Sequence, residues 1–265
     1  MRRYRVARFM IDGTRGTLTN EKIPAEHKEH IIERIKEGHG TDDHEAKLKR
    51  YLDLKPPNFM VVPDYVNILN EIRDSYVSGY LYAGLTASCC LGERILNTLI
   101  INLRDYYKKR RQYNWAKRSD SFTDWKQCID TLLEWKVFSN DTAKDFRDLP
   151  DIRHASIHFD KLLDIEARSL IAVNLILKIT NDLFGVNDLN FFWTPGVPFV
   201  RKNREKEPVV REFILPNCAF VTYNHTVELG SEIGKMILRD DPSVPDKDVT
   251  DEEFIELVKE FREGK

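Results

Sequence analysis

Residues 80–111 read YLYAGLTASCCLGERILNTLIINLRDYYKKRR, and this stretch decides the fold class. Its first two thirds are apolar and rich in small residues, and its last turns become basic. Apolar residues recur at helical rather than alternating spacing, so the stretch reads as one long helix from Tyr80 to about Arg111. Gly84 and Gly92 allow a neighbouring helix to approach closely.

The flanking segments share this periodicity. From Pro63, Tyr65, Leu69, Ile72 and Tyr76 fall on one helical face until Gly79 interrupts. Downstream, Ser121 and Asp124 resemble a capping box before Trp125, Ile129, Leu132 and Leu133. Ser139 or Asn140 opens a short fourth helix, and Pro150 restarts the chain, which puts the DIRHASIHFD stretch at 151–160 at a helix N-terminus. IEARSLIAVNLILKITNDLF, closed by Gly185, reads as the buried helix of the unit.

The ends differ in texture. PAEHKEHIIERIKEG, with Pro24 at its start and Gly38 at its stop, and DDHEAKLKRYLDL, opened by Asp42 or Asp43, read as peripheral charged helices, closed by the KPPN boundary at 55–58. Beyond Gly185, NFFW, VPFV, VVREFIL and AFVTY read as strands of a small antiparallel sheet. A last short helix is expected at the C-terminus, capped by Thr250 with Glu253 three residues on. The expected fold is mainly α: residues 1–60 an N-terminal helical extension, 61–185 a helical bundle, and 186–265 an α+β appendage.

Composition narrows the function. The 265 residues are 42% hydrophobic and 32% charged, with a formal net charge of −2, which argues against a generic nucleic-acid coat but leaves room for local patches. No apolar run approaches the roughly 18 residues a membrane span needs. The basic N-terminus moves straight into Asp12 and Gly13 without an apolar leader core, so a cytoplasmic address is expected. Cys89, Cys90, Cys128 and Cys218 form neither a disulfide framework nor a paired metal motif.

The chemistry concentrates in Arg153, His154, Ala155, Ser156, Ile157 and His158, just before the last long apolar helix. An arginine, a polar residue, a few further positions and a histidine in this place resemble the signature of the HEPN superfamily, many of whose members are metal-independent ribonucleases. SGYLYAGLTASCCLGERIL at 78–96 is similar to the family's second helix, where a glutamate follows a small-residue run; Glu93 is the match. The resemblance covers roughly residues 63–185. His154 stands where many members carry asparagine. It implies a HEPN-like helical bundle acting as an endoribonuclease of the toxin or antiviral defence type, needing no cofactor or metal. The runner-up is a catalytically silent domain that binds RNA, a nucleotide or a partner protein, over which the intact motif favours the ribonuclease.

These residue types suit RNA cleavage. Histidine titrates near working pH and serves either proton transfer, and arginine's planar fork holds phosphate oxygens without losing its charge. A helix N-terminus adds free N–H groups and a positive dipole end. Residues five apart on a helix point about 140° apart, so Arg153 and His158 do not share a face, whereas His154 and His158 do. The family remedy is a homodimer in which two motifs line one cleft. Glu93 is either a surface carboxylate or the group that holds Arg153 in place.

A second constellation is Leu103–Arg118, seven basic residues against one acidic, interleaved with Tyr106, Tyr107, Tyr113 and Trp115. Lys108, Lys109, Arg110 and Arg111 with Tyr107 supply the phosphate contacts and stacking that single-stranded RNA uses. The plainer reading is a solvated helix end whose cations favour the C-terminal dipole. His27, His30, His39 and His44 fit no strong metal spacing, so no metal is expected. The expected partners are RNA, a second copy of the chain and a possible regulatory protein or nucleic acid, with no membrane.

Overall fold

The computed structural model describes residues 2–3, 24–55, 60, 62–157, 164–185, 191–194, 197–200, 206–214, 226–229, 236–239 and 248–249. The protein is mainly helical. The described residues hold eight α-helices and one π-helical turn, the α-helices being α1 (Ala25–His39), α2 (His44–Asp53), α3 (Pro63–Val77), α4 (Leu81–Leu103), α5 (Tyr113–Ala116), α6 (Trp125–Glu134), α7 (Asn140–Ile157) and α8 (Ile165–Phe184).

Helix α4 is the axis of the bundle and packs against α3, α6, α7 and α8. Its buried stripe, including Leu85, Cys89, Ile95, Leu99 and Leu103, follows the helical period. Gly79, at φ 87°, turns the chain between α3 and α4 in a conformation that side chains with a Cβ rarely adopt. A Cβ on Gly84 would lie 3.5 Å from both Ser169 Oγ and Tyr76 Cβ, so the starts of α4 and α8 meet the end of α3. At the opposite end, the Tyr65 ring of α3 lies 5.2 Å from that of Phe184, the last residue of α8. Helix α8 therefore runs antiparallel to α3 and parallel to α4.

The two N-terminal helices rest on this bundle. Ile31 and Ile35 bury the apolar side of α1. Arg50 of α2 donates from Nε to Glu166 at 2.9 Å, and the Lys55 amide donates to Asn174 Oδ1 at 2.7 Å. Helix α1 ends at Gly40, at φ 85°, and runs through Gly38, which was the expected stop.

Several expectations are corrected. The helix begun at Leu81 ends at Leu103, not near Arg111, because the core-facing stripe stops there. The next cation, Arg104, folds back to donate from Nη1 to the carbonyls of Ala116 at 3.1 Å and Ser119 at 2.8 Å. Helix α6 is capped by Asp124, which accepts from the Gln127 amide at 2.9 Å; Ser121 lies outside the helix. Ser139 caps α7 as expected, accepting from the Thr142 amide at 3.2 Å.

Pro150 does not restart the chain. Helix α7 continues through it to Ile157. An interior proline removes one backbone hydrogen bond and costs roughly 3 kcal/mol. Phe146 and Leu149 are fully buried just before it, and Ile152 packs on the core just after, so burial on both sides holds the helix together.

VVREFIL is not a strand. Val209–Ile214 form the π-helical turn, which packs on α4. Val209, Val210, Phe213 and Ile214 are buried, a helical spacing, whereas alternation would have turned Arg211 inward with Val209 and Phe213. The remaining strand segments pair antiparallel in twos: Arg2–Arg3 with Asp248–Val249, Phe191–Thr194 with Val197–Val200, and Thr226–Leu229 with Met236–Arg239. The expected C-terminal helix at Thr250 and Glu253 and the AFVTY strand at 219–223 lie outside the described residues.

Candidate functional site

The site is built where α4 crosses α7. Gly92 makes the crossing close: a Cβ there would stand 2.9 Å from Leu149 Cδ1 and 3.1 Å from Trp125 Cη2. The buried Cys89 thiol, one turn earlier, donates to the Leu149 carbonyl at 3.6 Å. Burial pushes that thiol up to about 12, with Arg153 pulling the other way, so Cys89 is a packing group rather than a nucleophile.

This approach brings Arg153 to Glu93. Arg153 Nη1 donates to Glu93 Oε2 at 3.3 Å, joining two side chains sixty residues apart in sequence. They are 40% and 31% exposed, so solvent screens the pair and it contributes little to stability. A guanidinium carries five N–H groups, so pairing through one nitrogen does not exhaust its capacity for a phosphate. The structure thus places Glu93 in contact with Arg153.

His154 follows on the exposed side of α7. His158 lies outside the described residues, as does the side chain of Ser156. The continuation of α7 through Pro150 changes the electrostatics expected here: Arg153 and His154 sit in the closing turns of the helix, where the macrodipole end is negative. The helix N-terminus expected to cradle a phosphate is therefore not at this motif.

The basic segment also takes a different form. Residues 104–112 are a run of turns rather than helix, and Lys108, Lys109, Arg110 and Arg111 are exposed on it. Lys108 lies 3.5 Å from Asp105. Tyr107 is committed to packing, its ring stacked at 4.6 Å on Trp135 and its hydroxyl donating to the Trp135 carbonyl at 2.9 Å. Trp115 packs on Phe122 at 4.6 Å. Tyr106, 59% exposed, is the aromatic of this segment most open to a stacked base. Ten residues of α4, about 15 Å, separate Glu93 from Leu103, where these turns begin.

Sequence reasoning missed a cleft of about 690 Å³ between the 104–112 turns, the α6–α7 connection, the last turns of α8 and the start of the π-helical segment. On one wall Lys178 of α8 is hydrogen-bonded to Asp145 of α7 and lies 3.9 Å from Asp182. The signal was present as two i, i+4 pairs, Asp141 with Asp145 and Lys178 with Asp182, but nothing local shows that the two helices bring those pairs together.

Burial, together with the charges of Asp145 and Asp141, raises Asp182 above its ordinary 3.8, while Lys178 and a Thr142 hydrogen bond oppose the shift. The folded state thus holds this proton more tightly than the unfolded chain. The stabilisation is complete below pH 3.8 and is lost as pH rises through the folded pKa. Asp182→Asn should therefore be more stable than the parent at pH 7 in urea unfolding, and the difference should shrink as pH falls toward 3.8; a gap independent of pH would show that ionisation of Asp182 is not its source.

Comparison with family models, with curated proteins and with solved structures gives no match. Among the described residues no group of three or more histidine, cysteine or acidic side chains is placed to hold a metal ion, and no helix is long and apolar enough to cross a membrane.

Proposed function

We propose that residues 61–185 are a HEPN-like helical domain acting as a metal-independent endoribonuclease, in which the 2′-hydroxyl attacks the adjacent phosphate. The observation that carries this reading is the Arg153–Glu93 contact, which joins the two motif elements at one half-exposed place. Arg153 binds the phosphate and stabilises the extra charge of the phosphorane. His158 transfers the proton to the departing 5′-oxygen or takes it from the 2′-hydroxyl, and His154, four residues before it, assists. Glu93 positions Arg153. A β-containing appendage follows the domain, and two chains pair so that both motifs serve one cleft. The domain works in the cytoplasm as a toxin or antiviral defence effector under control of a regulatory partner.

The test is incubation of the purified protein with mixed RNA in EDTA. Fragments ending in a 2′,3′-cyclic phosphate and a 5′-hydroxyl are expected; RNA left intact, or cleavage lost on chelation, overturns the mechanism.

The second reading is a silent domain that binds RNA, and it has its own support: Glu93 offsets part of the Arg153 charge, and the helix dipole at the motif has the wrong sign for a phosphate. Both readings place RNA along the 104–112 turns. Reversing Lys108, Lys109, Arg110 and Arg111 to glutamate should weaken RNA binding and flatten its dependence on salt, because released counterions scale with phosphates contacted. Unchanged affinity across a salt titration would make the segment a solvated surface.

A further inference from the structure

The cleft beside Lys178 has a charge balance and a lining that define its ligand. Its carboxylates are Asp141, Asp182 and Glu207, set against the ammonium groups of Lys136 and Lys178. Lys178 is already committed to Asp145, whose side chain is 13% exposed. Acidic groups are therefore in excess where a further cation would sit. Lys108, Lys109 and Arg111 stand in solvent, where water and salt screen them, whereas Arg110 acts at the rim, where its charge and that of Glu207 oppose each other at Tyr107. The other side of the cleft is apolar and aromatic, formed by Tyr107, Val137, Phe138 and Leu183 with Trp135 behind the Tyr107 ring.

We infer that this cleft binds a small organic cation, an alkyl ammonium or guanidinium compound, with its charge between Asp141 and Asp182 and its hydrocarbon along Tyr107, Val137 and Phe138. The volume lies within the range of small-molecule sites, roughly 300–1,000 Å³. An apolar wall beside carboxylates favours a cation that carries hydrocarbon, because burial of that hydrocarbon adds to the charge attraction while a hydrated inorganic ion gains only the carboxylates. Thr142, buried at the foot of the cleft on the first turn of α7, fixes the acidic wall through its bond with Asp182. The site is independent of the ribonuclease reading.

The experiment uses the full chain with spermidine and putrescine as probes, followed by thermal melting and calorimetry. Sodium chloride at matched ionic strength and magnesium chloride at matched charge are the controls. Spermidine is expected to raise the melting temperature saturably, as a ligand of the folded state must, and neither control should reproduce the rise. Asp141→Asn/Asp182→Asn should weaken spermidine at least tenfold, while Asp64→Asn, on α3, should leave it unchanged. Lys178→Met removes the resident ammonium and should show a larger spermidine-induced rise than the parent. If the double variant does not fold, Glu207→Gln takes its place, with a severalfold weakening expected. A response matched by magnesium or sodium, equal affinity in the carboxylate variant, or no enhanced rescue of Lys178→Met would each overturn the site.

Discussion

Alanine at Arg153 or at His158 should abolish RNA cleavage, with turnover falling at least about a thousandfold, while the helical spectrum and the melting temperature stay close to those of the parent. The size follows from the roles: a positioned proton donor or acceptor contributes on the order of 10²–10⁴, and one preorganised donor to developing charge about 10²–10³. For Arg153 the insensitivity of the fold follows from exposure, since a solvent-screened pair such as Arg153 and Glu93 contributes no more than about 1 kcal/mol. Glu93→Gln should be milder than either, because it releases Arg153 without removing it, and His154→Ala should be partial. Parent-like cleavage by both alanine variants would move the active site elsewhere. Mixing parent with excess Arg153→Ala/His158→Ala protein under subunit exchange should lower activity beyond dilution if two chains share one cleft; activity that tracks dilution alone would give each chain its own site.

Phe213→Ala should cost about 3–5 kcal/mol of unfolding free energy, the range for removing a fully buried phenylalanine ring. Phe213 is 1% exposed, with its ring 5.4 Å from that of Phe184 and 6.5 Å from that of Tyr65, so truncation leaves a hole where α3, α8 and the π-helical turn meet. Glu212→Ala, on the exposed side of the same turn, should change stability little. Urea unfolding of both variants measures the contrast. A loss below about 1 kcal/mol for Phe213→Ala would show that residues 209–214 are not docked on the helical body in solution.

How far the sequence could be read depended on how much of each signal was local. Helices α3, α4 and α8 were legible because their apolar residues repeat at helical spacing and their ends carry local punctuation: Pro63 at one start, Gly79 in its left-handed turn, Gly185 at one stop. The misplacements have the opposite character. Arg104 ends its helix early by bonding carbonyls twelve and fifteen residues ahead, and no local pattern reports those partners. Asp124 takes the cap from Ser121 because both residue types cap well and only backbone direction chooses between them. Tyr107 loses its role as an open stacking platform because Trp135, 28 residues on, covers its ring.

By itself the sequence determined a mainly helical protein, the long apolar helices of its bundle, and the candidate chemistry at Arg153, His154, His158 and Glu93. These follow from residue type and short spacing, which act within a few turns of chain. Only the tertiary structure decided that α7 runs through Pro150, because the burial of Phe146 and Leu149 outweighs a local rule, and that Arg153 therefore lies at a closing helix end. It also decided that Gly92 admits α7 closely enough to bring Arg153 onto Glu93. It alone assembled Asp141, Asp145, Lys178 and Asp182 beside one cleft, since the excess of negative charge there exists only when two antiparallel helices bring their i, i+4 pairs face to face.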